Sequence, residues 1–161
     1  VLAVAEGVVR DARDGEPNQP VLVSAPSPAD LTERTLMGNF VVLEVAPHTF
    51  VHYAHLQPGS LRVKAGEHVR RGAVLGRVGQ SGSANAPHLH FLVSNSAAFE
   101  ESEGLPFVFE AFDYLGSATL RQVLDQAAPV PIGPAFQKNC QQQLPLDDSV
   151  IRLFKVHYAV I

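Results

Sequence analysis

Cysteine is nearly absent, with Cys140 alone in a chain of 161 residues. That excludes an internal disulfide and any zinc cluster built from several thiolates. Charge is scarce too: charged residues make up 17% of the chain, and the net charge is −4. This balance excludes a coiled coil and a basic nucleic-acid binder, because neither can be built with so few cations. No run approaches the roughly 18 apolar residues of a membrane-spanning helix. Val1–Ala5 is apolar but has no basic residue ahead of it and meets Glu6, so it does not read as a signal peptide. Opening mid-pattern and without Met, the chain reads as a processed or trimmed fragment.

What is present points to β-structure. Hydrophobic residues reach 46%, enough to exclude disorder along the whole chain, and the length suits about one domain. Twelve glycines, twelve prolines and abundant valine predict an all-β fold of short antiparallel strands joined by many turns. Val1–Arg10 reads as a short strand pair interrupted at Glu6-Gly7 by a turn or bulge. Asp11 to Gly38 reads as a long Pro-rich loop. Phe40–Val45 and Phe50–Leu56 read as a hairpin about the turn Ala46-Pro47-His48-Thr49. Between Val63 and Gly79, glycines recur between short apolar pairs, which predicts tight strands and turns of positive φ. Gln80-Ser81-Gly82-Ser83 reads as a flexible turn, and His88–Ser94 as a strand. Farther on, Phe107–Tyr114 reads as extended, Ser117–Ala128 as a short helix and Val150–Ile161 as a terminal strand.

The chemistry concentrates in histidine. His88 and His90 are two apart, so on a strand they share a face while Leu89, Phe91 and Val93 take the other. On the strand Phe50–Leu56, alternation puts Val51, Tyr53 and His55 on one face and Phe50, His52 and Ala54 on the other. His55 then needs only a neighbouring strand position to join His88 and His90, whereas His52 points away. His48 falls in a turn, His68 in a charged hairpin, and His157 has no partner in the sequence. Other chemistries find little support. No Ser occupies a Gly-x-Ser-x-Gly elbow, Cys140 has no nearby His, and Gly76-Arg77-Val78-Gly79 does not open a helix as a phosphate loop would.

Taken in order, several segments resemble the lysostaphin-type (LytM-like) zinc metallopeptidases. They are Val4-Ala5-Glu6-Gly7-Val8-Val9, Gly38-Asn39, Tyr53-Ala54-His55-Leu56, the glycine-spaced run from Val63 to Gly79, Ser81-Gly82, and Pro87-His88-Leu89-His90-Phe91. The resemblance spans about Val1 to Val93. It implies an antiparallel barrel-sandwich-like core (a duplicated hybrid motif), expected over residues 1–98; the resemblance does not reach beyond about Ser94, and 99–161 is expected to be an irregular C-terminal extension packing on the same domain. It implies a zinc-dependent endopeptidase that cleaves peptide cross-links of bacterial peptidoglycan, acting in the periplasm, at the cell surface or after secretion. His90 would be a zinc ligand, His55 and His88 the non-ligand catalytic pair, and Tyr53 and Asn39 part of the substrate groove. The partner would be a peptidoglycan peptide, with no nucleic acid. The family's other two ligands come from a His-x-x-x-Asp motif ahead of the segment at Glu6-Gly7. The chain contains no His-x-x-x-Asp, and no His precedes His48. Two expectations follow: the missing ligands lie upstream, or the protein belongs to the degenerate branch that binds cell wall or regulates other hydrolases.

Overall fold

The structure is a computed structural model that describes residues 1–20, 32–125, 132–153 and 159–160. The chain divides into two compact units, Val1–Leu105 and Pro106–Ile161. The boundary falls past the 98/99 division read from sequence. Residues 99–105 stay with the first unit because Asn95 N bonds Glu103 O and Leu105 N bonds Val93 O.

The first unit is built on an open, five-stranded antiparallel sheet in the order β4-β1-β2-β3-β5. Its strands are β1 (Gly7–Arg13), β2 (Asn39–Ala46), β3 (Thr49–Leu56), β4 (His68–Val69) and β5 (His90–Ser94). β2 and β3 form the expected hairpin around Pro47-His48, with His48 at φ 56°. The interruption expected at Glu6-Gly7 is present just ahead of β1, where the chain bends at Val4-Ala5 between the Leu2 bridge and Gly7. A further irregularity lies at Arg10, where the register shifts between Val9 and Asp11 and Arg10 pairs with Glu44. The long loop is also shorter than expected. β1 runs on to Arg13, and a five-residue helix, α1 (Glu33–Met37), occupies its far end. Between Val63 and Val78 only His68–Val69 forms a named strand, because the turns at Gly66 (φ 89°) and Gly72 (φ 83°) cut the segment too short for long ladders.

β2 carries five consecutive buried residues, Asn39 to Leu43, because both faces of the sheet are covered. On one face, Val41, Leu43, Val51, Tyr53 and Val93 point toward the segments around Ala3 and Leu75. The Tyr53 hydroxyl accepts a hydrogen bond from the Val4 backbone N–H at 3.0 Å. The bridge Leu2–Val74 and the bonds Ala3 N to Ala73 O and Leu75 N to Val1 O tie this layer together. On the other face, Phe40, Val42 and Ala54 form a core cluster with Met37 of α1, and Phe50, Ala97 and Phe99 pack against it.

The second unit is a smaller antiparallel sheet in the order β7-β6-β8, with β9 also pairing β6. It comprises β6 (Val108–Ser117), α2 (Leu120–Leu124), β7 (Lys138–Gln143), β8 (Ser149–Arg152) and β9 (Ala159–Val160). Thr119 starts α2 with a capping box closed by Gln122, which satisfies two end donors of a helix too short to persist alone. Cys140 is buried in this sheet, far in sequence from any histidine described.

Two glycines fix how the first unit's loops meet its sheet. Gly38 (φ 66°) and Gly82 (φ 68°) adopt left-handed backbone and touch each other. A Cβ on Gly38 would lie 2.4 Å from the Ser81 carbonyl carbon, and one on Gly82 2.4 Å from Gly38 N. Gly15, at φ 107°, faces open space. Gly38→Ala should therefore cost about 2–4 kcal/mol, combining left-handed strain with backbone overlap, and Gly15→Ala only about 1–2 kcal/mol. Urea unfolding of the two variants checks this; equal losses would mean that the Gly38–Gly82 contact carries nothing.

Candidate active site

The site forms where β3 ends. His55 is a non-glycine residue with φ 59°, a left-handed conformation that breaks the strand's alternation. Tyr53 faces Phe91, with ring centroids 5.5 Å apart, so both lie on one face. Ala54 pairs with His90 and His52 with Leu92 on the opposite face. Strict alternation would have left His55 with Tyr53, across the sheet from His90. The left-handed turn at His55 brings its ring to His90 instead, with centroids 5.6 Å apart, and to His88 at 4.7 Å. The structure thus brings together the three histidines singled out from sequence, though not by the alternation argument that first linked them. His52 likewise does not point away from the site; it shares the His90 face.

Several bonds hold that turn in place. His55 Nδ1 lies 2.8 Å from the Ser81 carbonyl, and the His55 carbonyl accepts the Gly79 N–H at 3.0 Å. The Leu56 carbonyl accepts from Asn39 Nδ2 at 3.0 Å and from Ser81 Oγ at 2.8 Å, and Ser81 Oγ in turn accepts the Asn39 N–H. Ser81 is fully buried, so the small-residue turn is a rigid support and not a flexible link. Asn39 and Tyr53, expected in a substrate groove, are 0% and 1% exposed and belong to the scaffold. Asn39 also holds Glu16 through two hydrogen bonds of 2.8 Å, stitching the start of the long loop to β2.

His88 lies just outside β5, bridged to Gly79, and His90 is the first residue of β5; both are exposed. His55, at 4% exposure, forms the base of the cluster. Because a carbonyl oxygen only accepts, neutral His55 must carry its proton on Nδ1, which leaves Nε2 with a free lone pair. His88 is held in the same tautomer by the Ala86 carbonyl, 2.8 Å from its Nδ1. Burial lowers the His55 pKa from 6.5 to about 4, and the proximity of His88 and His90 adds to the effect. His90 is lowered by burial first and by His88 second. Burial therefore favours the neutral imidazole at His55 and at His90.

His52 is buried, with Nε2 on Ser94 Oγ and the Ser96 carbonyl and with Nδ1 lacking a hydrogen-bond partner. Sequence reasoning missed the support roles of Ser81 and Ser94; the signals available were small residues flanking the histidine segments and, for Ser81, its place among the family-like segments. His48 sits at the exposed hairpin tip and His68 is exposed on β4. His157 lies outside the described residues. Among the described residues, no group of three or more His, Cys, Asp or Glu is arranged to hold a metal ion, the three clustered histidines included.

The family model of peptidase family M23 matches residues 1–100. Among solved structures, the chain is similar to a catalytic-domain mutant of the prophage-encoded M23 protein EnpA from Enterococcus faecalis. That likeness has 20% identity and a TM-score of 0.47, covering 65% of this chain and 64% of that one. It is also similar to a zinc containing peptidase from Vibrio cholerae at 24% identity and a TM-score of 0.43, covering 62% of this chain and 24% of that one. The chain thus spans less than two thirds of either structure. No curated protein sequence matches it.

The buried His55 has a consequence for stability. Its folded pKa lies below the unfolded value, so the unfolded chain takes up the proton first as pH falls. Stability should therefore be lost between about pH 6.5 and pH 4 and level off below. NMR titration of the imidazole should find His55 neutral until about pH 4, and His55→Asn should flatten the stability profile across that window. A His55 titrating near 6.5 would contradict the buried, carbonyl-anchored geometry.

Proposed function

The chain belongs to peptidase family M23, and on that footing we propose that it acts on the peptide cross-links of bacterial peptidoglycan as a zinc-dependent endopeptidase outside the cytoplasm. The observation that carries this reading is the convergence of His55, His88 and His90, with His55 at the base and the other two at an accessible rim. In it, His90 is a metal ligand, and His55 and His88 handle protons.

What the chain's own residues do follows from their tautomers. With both Nδ1 protons committed to carbonyls, the Nε2 atoms of His55 and His88 begin as acceptors. Either can take a proton from an attacking water and then, as an Nε2–H donor, return it to the departing amine nitrogen. The low basicity of His55 makes its protonated form a strong acid, suited to the second of these steps. The described residues do not by themselves fit a catalytic zinc. His90 is one donor, and such a site takes three protein ligands.

That same observation favours a second reading, a non-catalytic module that binds cell wall or regulates other hydrolases. One experiment separates the two. The protein is incubated with purified peptidoglycan, with zinc and with a chelator, while newly released amino groups and bound metal are measured. For the enzyme, in an intact protein that also supplies the upstream ligands, release depends on zinc and His90→Ala loses the metal. His55→Ala and His88→Ala keep the metal but lower turnover by about 100- to 10,000-fold. Cosedimentation with peptidoglycan without amine release, at any zinc level, would replace the first reading with the second.

A further inference from the structure

The net charge of −4 hides a strong local asymmetry. Between Arg62 and Arg77 the chain carries Arg62, Lys64, Arg70, Arg71 and Arg77 against Glu67 alone, a local +4 that leaves −8 on the rest. All five cations are exposed. The backbone gathers this segment on the layer that covers the Tyr53 face of the sheet. Arg62 N bonds Leu75 O, the turn Arg70–Ala73 lies against Ala3 through Gly72 N and Ala3 O, and Arg77 O accepts Gln57 N.

The same layer exposes aliphatic side chains. Leu2 is 45% exposed, Val74 54% and Val78 47%, and Leu2 and Val74 are direct cross-strand partners. This layer therefore exposes both aliphatic side chains and guanidinium groups. A soluble polyanion would use the cations and leave the aliphatics in water. A bilayer whose headgroups carry negative charge uses both, by attracting the cations and admitting the apolar side chains at the headgroup boundary.

We propose that this face, Leu2, Val74 and Val78 bordered by Arg62, Arg70 and Arg77, docks the domain on an anionic lipid surface. At Val78, which bridges Leu56, the surface comes close to the His55–His88–His90 cluster in the chain, but the proposal does not depend on whether that cluster is catalytic.

The test uses the 161-residue chain and vesicles of phosphatidylcholine with or without phosphatidylglycerol, read by cosedimentation across a salt series. Binding should require phosphatidylglycerol and weaken as salt rises. Combined Arg62→Glu, Arg70→Glu and Arg77→Glu should lower partitioning by about tenfold or more. Combined Leu2→Ser and Val74→Ser should lower it several-fold at unchanged charge. Circular dichroism verifies that each variant folds; if the triple reversal does not, Arg77→Glu and the parent's salt series carry the test. Equal binding to both vesicle types, or charge reversal without effect, would overturn the proposal. So would capture by dextran sulfate without any vesicle binding, which would make the partner a soluble polyanion.

Discussion

The hydrogen bond from His55 Nδ1 to the Ser81 carbonyl is the interaction on which the site depends. It holds a non-glycine residue in left-handed backbone, fixes the tautomer of its ring, and joins the end of β3 to the loop that leads to His88. That carbonyl can sit there only because the backbone around it is itself clamped. Gly38 and Gly82 meet without room for a Cβ, and Ser81 Oγ spans Asn39 and Leu56. Substitutions in this small buried knot reach the chemistry indirectly, by moving the support under His55.

Two residues that the family resemblance assigns to a groove belong to that support. The Asn39 side chain satisfies backbone groups of two separate segments, at Glu16 and Leu56, and Tyr53 caps the Val4 N–H inside the sheet layer. Polar side chains so deeply buried stabilise the fold only while every bond is made, because an orphaned partner in that environment costs about 1–3 kcal/mol. The contrast with His88 and His90 is plain. Those two have few obligations to the fold and stand where a substrate can reach them.

The hairpin and the strand read at His88–Ser94, which in the structure begins at His90, were legible in the sequence, because each rests on a period of two and on turn residues. The meeting of His55 with His90 was anticipated, but alternation gave the wrong route to it. Nothing in the letters Tyr53-Ala54-His55-Leu56 announces a positive φ at a histidine, since that conformation is imposed by Gly79 and Ser81 from elsewhere in the chain. Helix α1 was missed because five residues between loops leave no measurable periodicity. The segment Val63–Val78 looked more regular than it is, since glycine spacing signals turns without saying how few residues between them will pair. Ser81 was invisible for a different reason: what it contributes to His55 is a backbone carbonyl, which every residue type possesses.

The division between a buried support and an exposed rim also bears on how such a domain can change over generations. Because His88 and His90 sit at the surface, replacing them asks little of the core, whereas Gly38, Asn39, Ser81 and Gly82 are locked together by mutual contact. Selection acting on foldedness alone would therefore keep the knot and release the rim. A lineage freed from its chemistry can drift at the rim while retaining the domain's shape and surface, and so acquire a new occupation without ever passing through an unfolded ancestor.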